Sequence, residues 1–137
     1  MTTTSPPAAA TKPPARRRFR AADVAQHLDM VVIGDICVGV SLSGYRSVME
    51  GFLNDVSGSQ AALLAALDCA DITALPALAH AVKGAAASMG LRAVQTLALQ
   101  VEADSAQFDA ADCTRTAAAL RERLDTTRAL LQRMGFV

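Results

Sequence analysis

The 137-residue chain has no tryptophan and a single tyrosine, and aromatic residues make up only 4% of it. β-Sandwiches and barrels draw more heavily on aromatic and β-branched side chains, so the composition argues against an all-β fold. No apolar run reaches the ~18 residues that a transmembrane helix needs, and membrane insertion is not expected. The three cysteines, Cys37, Cys69 and Cys113, are odd in number, far apart and without a C-x-x-C pair. Such thiols fit a reducing cytoplasm better than a disulfide framework. The two histidines, His27 and His80, pair with no cysteine at zinc spacing, so no metal site is expected. A glycine-rich nucleotide loop and kinase motifs are also lacking, which excludes autophosphorylation from ATP.

Alanine and leucine, both strong helix formers, dominate what is present. Hydrophobic residues reach 52% and charged residues 19%, enough apolar material for one compact domain. The net charge of zero conceals an asymmetry. Lys12, Arg16, Arg17, Arg18 and Arg20 give residues 1–20 a charge of +5, and the other 8 basic and all 13 acidic residues leave 21–137 at −5. A folded domain of that sign is a poor partner for nucleic acid. Four of the five prolines lie in residues 1–19. Residues 1–20 therefore read as a disordered, basic leader or linker and 21–137 as the folded domain. The R-R-R-F-R cluster in the leader reads as a solvated basic tail.

Helical periodicity starts near Ala21. Residues 21–28 fit a short helix carrying His27; the apolar, β-branched stretch 29–39 reads alone as a strand, but the all-helical context favours a short packed helix or turn. From Ser43 to Leu67, Tyr45, Val48, Met49, Phe52, Leu53, Val56, Gln60, Leu63, Leu64 and Leu67 follow one helical face, with S-G-S at 57–59 as a weak point. A second helix is expected from Thr73, as N-cap, to Met89, with Pro76 in its first turn and Gly90 as its stop. A third spans Leu91–Ser105, with Leu91, Val94, Leu97, Ala98 and Val101 inward. A fourth spans Ala110–Met134, with Ala117, Leu120, Leu124, Thr127, Leu131 and Met134 on one side. Short connections make neighbours antiparallel. The expected fold is all-α, an up-down-up-down antiparallel four-helix bundle with short N-terminal helical additions.

One segment carries chemistry: L-A-H-A-V-K-G-A-A-A-S-M-G-L-R, residues 78–92. On a wheel of ~100° per residue with His80 at zero, Leu75, Leu78, Val82, Ala85, Ala86 and Met89 form the core arc. Pro76, Lys83, Gly84 and Ala87 fall within ~60° of His80, so the imidazole faces away from the core. Gly84, one turn beyond it, costs ~1 kcal/mol relative to alanine in a helix interior. In an alanine-rich sequence that choice needs a reason, and close approach of a partner to the imidazole supplies one. Lys83, one of only two lysines, adds a cation on the same face. An exposed histidine, a cation and a bare stretch of backbone describe a phosphate-accepting site.

These residues resemble the signature of histidine phosphotransfer (HPt) domains, H-x-x-K-G with a glycine ten residues after the histidine. The resemblance covers residues 40–134 and is nearest to the HPt domains at the C-terminus of tripartite hybrid sensor kinases. F-L-N-D (52–55) and A-L-D-C-A-D (66–71) are also similar to that family's second helix. The resemblance implies that His80 is the phosphoacceptor, that Lys83 offsets phosphoryl charge, that Gly84 clears space and that Gly90 is the turn glycine. It matches Glu102 to a polar position of the next helix that orients the imidazole. A solvated carboxylate at the flank of that helix is an equal reading of Glu102.

The implied function is a phosphorelay step: His80 accepts a phosphoryl group from a receiver aspartate and passes it to another. The partner is the receiver domain of a response regulator or hybrid sensor kinase, docked over Pro76, Ala77, Gly84 and Ala87. No cofactor is expected in this chain, and the Mg²⁺ belongs to the receiver. The expected protein is a cytoplasmic monomer and a phosphoryl carrier, not an enzyme. A second reading stays open, a non-catalytic helical module that docks and sequesters a receiver or kinase through the same face. A third, a bundle ligating haem or metal through His80 and His27, conflicts with a histidine turned away from the core.

Overall fold

The computed structural model describes residues 19–137, and every regular element among them is helical. The expected leader lies outside the described residues apart from Phe19, which packs on the core, and Arg20, whose backbone N–H donates to the Asp23 carboxylate at 2.8 Å. The helices are α1 (Ala21–His27), α2 (Met30–Asn54), α3 (Ser59–Asp68), α4 (Leu75–Met89), α5 (Arg92–Asp104) and α6 (Ala110–Arg133). α3 packs on α4, α4 on α5, α5 on α6 and α6 on α3, closing a ring of four. α1 lies against α5 and α6, and α2 against α4.

The apolar stretch after Leu28 is helical, not extended. The Asp29 carboxylate accepts from Val31 N–H (3.1 Å) and Val32 N–H (3.2 Å), satisfying two free donors at the helix start. α2 kinks at Ser41, whose φ of 72° and ψ of 163° lie in a region that side chains avoid. The Ser41 hydroxyl accepts from Gly44 N–H at 3.2 Å and restarts the helix. By hydropathy alone the stretch beginning at Met30 is apolar enough to span a membrane, with a mean hydropathy of 1.3. The kink cuts it short: residues 30–40 rise only about 16 Å against the ~30 Å of a hydrocarbon core.

The single helix expected over 43–67 is two helices. The Asp55 carboxylate accepts from the Ser57 N–H (2.9 Å) and hydroxyl (2.8 Å), a local turn that competes with helix continuation. Gly58 then caps α3 in an extended conformation. The bundle's first member is thus the ten-residue α3, and α2 packs outside the ring. The break also overturns part of the expected face, leaving Val56 and Val48 exposed. Tyr45, Met49, Leu53, Leu63 and Leu67 are buried as the spacing requires. Gln60, the polar residue of that face, is buried too, and its amide donates to the Phe52 carbonyl that the break frees.

Thr73 is not the cap of α4. It sits in a 3-10 turn, Ile72–Ala74, and Ala74 takes the cap position with no side-chain bond. Pro76 does fall in the first turn of α4, where a missing N–H costs nothing. The core arc of α4 shifts slightly from the expected one: Leu75, Ala79, Val82 and Ala86 are buried, while Leu78, Ala85 and Met89 are half-buried. All five inward positions expected on α5 are buried. On α6, Ala117, Leu120, Thr127 and Leu131 are buried, Leu124 is half-buried, and Met134, past the helix end, is exposed.

Gly90 joins α4 to α5 with a left-handed φ of 78°. Leu91 N–H donates to Ala86 O at 2.9 Å and Asp29 N–H donates to Gly90 O at 2.8 Å. A Cβ at Gly90 would stand 2.8 Å from Ile33 Cγ1 and 2.9 Å from Asp29 O. Gly90→Ala therefore combines an unfavourable φ with a clash against backbone. We expect it to cost about 2 kcal/mol, read as a fall in the thermal midpoint by circular dichroism, and an unchanged midpoint would contradict this account of the turn.

Candidate functional site

α4 presents His80 outward, with 68% of its side chain exposed, one helical turn after Pro76 and Ala77 and one turn before Gly84. Pro76, Ala77, Ala81 and Gly84 are exposed and Ala87 is half-buried. The resulting face is smooth and low around the imidazole. An added Cβ at Gly84 would meet nothing within 4 Å, so no contact among the described residues requires glycine there.

The opposite side of the ring is held. Gly90 lies ten residues after His80 and twelve before Glu102. At 1.5 Å per residue, the two side chains sit ~15 and ~18 Å from the turn on antiparallel neighbours, at nearly the same height. Glu102 Oε1 lies 3.1 Å from His80 Nδ1, and Glu102 Oε2 lies 2.7 Å from Lys83 Nζ. One carboxylate thus bridges the imidazole and the ammonium. An ionised carboxylate only accepts, so Nδ1 is the donor in this pair and Nε2 is left outside it. The Lys83 hydrogen bond, then the His80 bond, holds the Glu102 carboxyl below its ordinary value of 4.5 against an opposing desolvation.

The structure thus brings together His80, Lys83 and Glu102, and places Pro76, Ala77 and Gly84 on the same open face. It leaves Ala87 further from solvent than the wheel suggests. One neighbour escapes the periodicity argument altogether. Leu99 is 52% exposed on α5, one turn before Glu102 and off that helix's apolar stripe. A leucine between the inward positions Ala98 and Val101 is its only signal in the sequence.

His27 lies elsewhere. Its Nδ1 donates to the Asp23 carbonyl at 2.9 Å, and it lines a cavity of about 110 Å³ with Gln26, Ala93, Thr96 and Arg123. That cavity lies between α1, α5 and α6 and does not include His80. The described residues form no cluster of three or more His, Cys, Asp or Glu side chains suited to a metal ion. Cys37, Cys69 and Cys113 are all free thiols, half-buried, exposed and buried respectively.

A family model for the Hpt domain matches residues 47–130, well over half of the chain, and the chain belongs to that family. Its function is accordingly histidine phosphotransfer in a two-component phosphorelay. Members are phosphoryl carriers rather than kinases, and they interact with receiver domains. No curated protein and no solved structure matches the chain.

Two outcomes follow from the geometry. On acid titration the carboxyl of Glu102, followed by carbon-13 NMR, has its midpoint below 4.5, and Lys83→Ala returns it towards that value. Because the folded value is depressed, the stability this carboxylate contributes is present above the unfolded value and is lost as pH falls through the folded one. A midpoint at or above 4.5 in the native protein would exclude the bridge. Gly84→Ala, with open space for its methyl, gains about 0.5–1 kcal/mol of helix stability and raises the thermal midpoint.

Proposed function

We propose that His80 is the phosphoacceptor of this Hpt domain, taking the phosphoryl group from one receiver-domain aspartate and passing it to another. The neutral imidazole attacks in line through Nε2. The Nε2–P bond forms as the bond from phosphorus to the aspartyl oxygen breaks, and the receiver leaves with a free carboxylate. Onward transfer reverses these events on a second receiver, and the electron pair returns to Nε2. The observation that carries this reading is the Nδ1 contact to Glu102, which fixes the tautomer and leaves the outer nitrogen nucleophilic.

Glu102 acts as the positioning residue, and Lys83 offsets phosphoryl charge. Pro76, Ala77, Gly84 and Ala87 form the docking surface, with Leu99 as an apolar contact at its edge. Positioning and charge stabilisation account for the chemistry, with Mg²⁺ supplied by the receiver. In this reading the chain is a cytoplasmic monomer without autokinase activity, and it works without membrane insertion or nucleic acid. No feature of the site favours a purely sequestering module.

The test is incubation with a phosphorylated receiver, followed by mass spectrometry of the chain. Acid-labile, base-stable phosphate on His80 is expected, falling to background in His80→Gln, which keeps the side chain polar without a nucleophilic nitrogen. Receiver binding that survives in both proteins with no phosphate in either would instead establish the sequestering module.

A further inference from the structure

We infer that the cavity between α1, α5 and α6 binds a small oxyanion that carries a proton, with hydrogenphosphate as the type. It lies away from the face that holds His80: on α5, Ala93 and Thr96 stand ~180° and ~120° around the helix from Glu102. The cavity of about 110 Å³ is lined by Gln26, His27, Ala93, Thr96 and Arg123. A cavity of ~150 Å³ holds benzene, so the five heavy atoms of a tetrahedral oxyanion fit here and a nucleotide does not. Gln26 and Thr96 are exposed, which opens the cavity to solvent, while His27 and Arg123 are half-buried.

The polar groups of this cavity are uncommitted. Arg123 has five N–H donors and uses one, from Nη1 to the Ala93 carbonyl at 2.9 Å. Arg92, Arg115 and Arg121 each pair with a carboxylate, whereas the half-buried Arg123 makes no ion pair among the described residues. A partly desolvated guanidinium without a counter-ion attracts an anion, and its planar fork matches two oxygens of one. The Gln26 amide, without another hydrogen bond among the described residues, supplies further donors. The remaining two groups accept. His27 Nδ1 donates to the Asp23 carbonyl at 2.9 Å, which leaves Nε2 of the neutral ring as an acceptor. The Thr96 hydroxyl gives its proton to the Arg92 carbonyl at 2.9 Å and keeps its lone pairs. Asp23, the acid of α1, accepts from the Arg20 N–H through its carboxylate. Donors from Arg123 and Gln26 beside acceptors from His27 and Thr96 suit a ligand that both accepts and donates. Hydrogenphosphate does both, and sulfate only accepts. Bound there, it ties α1 to α5 and α6.

The test is a titration of the full chain at pH 8 and constant ionic strength with phosphate, sulfate, methyl phosphate and chloride, followed by carbon-13 NMR of Arg123 Cζ and the His27 ring. Phosphate is expected to saturate and to bind about tenfold tighter than sulfate or methyl phosphate, neither of which carries a proton at that pH. One hydrogen bond of ordinary strength sets that ratio. Arg123→Gln, which keeps an N–H for the Ala93 carbonyl, loses saturable binding of every anion. Gln26→Ala, at an exposed position, leaves the fold intact and weakens phosphate about fivefold. His80→Gln gives the same midpoint as the unaltered chain, so the result is independent of the role proposed for His80. Shifts that grow linearly and alike with all the salts would show ionic screening only and overturn the site. Saturable binding with equal affinity for phosphate and either sulfate or methyl phosphate would overturn the ligand class. A midpoint that moved with His80→Gln, or that survived Arg123→Gln, would place the anion elsewhere and overturn the assignment.

Discussion

The left-handed turn at Gly90 sets the geometry on which the site depends. It brings α5 back along α4 with only Gly90 and Leu91 between them, and α2 closes over it through Ile33 and the Asp29–Gly90 hydrogen bond. With the turn held on both sides, α4 and α5 have little freedom to slide. A shift of one residue would move Glu102 by about 1.5 Å along the axis and by ~100° around it, and the carboxylate would lose the imidazole. The chemistry proposed for His80 is thus anchored by a backbone conformation about three helical turns away.

Because that register is fixed, one carboxylate does the work of two. A neutral histidine on a mobile, exposed helix face would exchange tautomers freely, and a nearby lysine would be an ordinary solvated charge. The bridge couples them, so the proton on Nδ1, the free lone pair on Nε2 and the place of the ammonium are no longer independent. Only modest burial is needed, since the imidazole must remain open to a protein-sized partner.

Much of this is legible in the residues themselves. The 3.6 period puts His80 outward and Lys83 and Gly84 beside it, and the packing of α5 follows from Leu91 to Val101. What the period could not show were the breaks. The Asp55 turn and the Ser41 kink are decided by side-chain bonds to nearby backbone, which outcompete helix continuation without disturbing the apolar spacing. Thr73 has the chemistry of a cap but lies in the preceding turn, one residue before the position it would need. For Glu102 the wheel left a solvated carboxylate and a histidine partner equally open. The distance across the α4–α5 turn selects between them, and that distance is a tertiary fact.

Gly84 has a consequence of an evolutionary kind. None of the described residues touches the place where a side chain would be, and its intrinsic effect on the helix is unfavourable. Selection on stability alone would replace it, and alanine is the commonest residue of that helix. In the proposed docking reading, the pressure that favours glycine comes from the receiver surface that meets it. Substitutions at Gly84 are then expected to appear only in lineages where the facing residue of the partner has also become smaller.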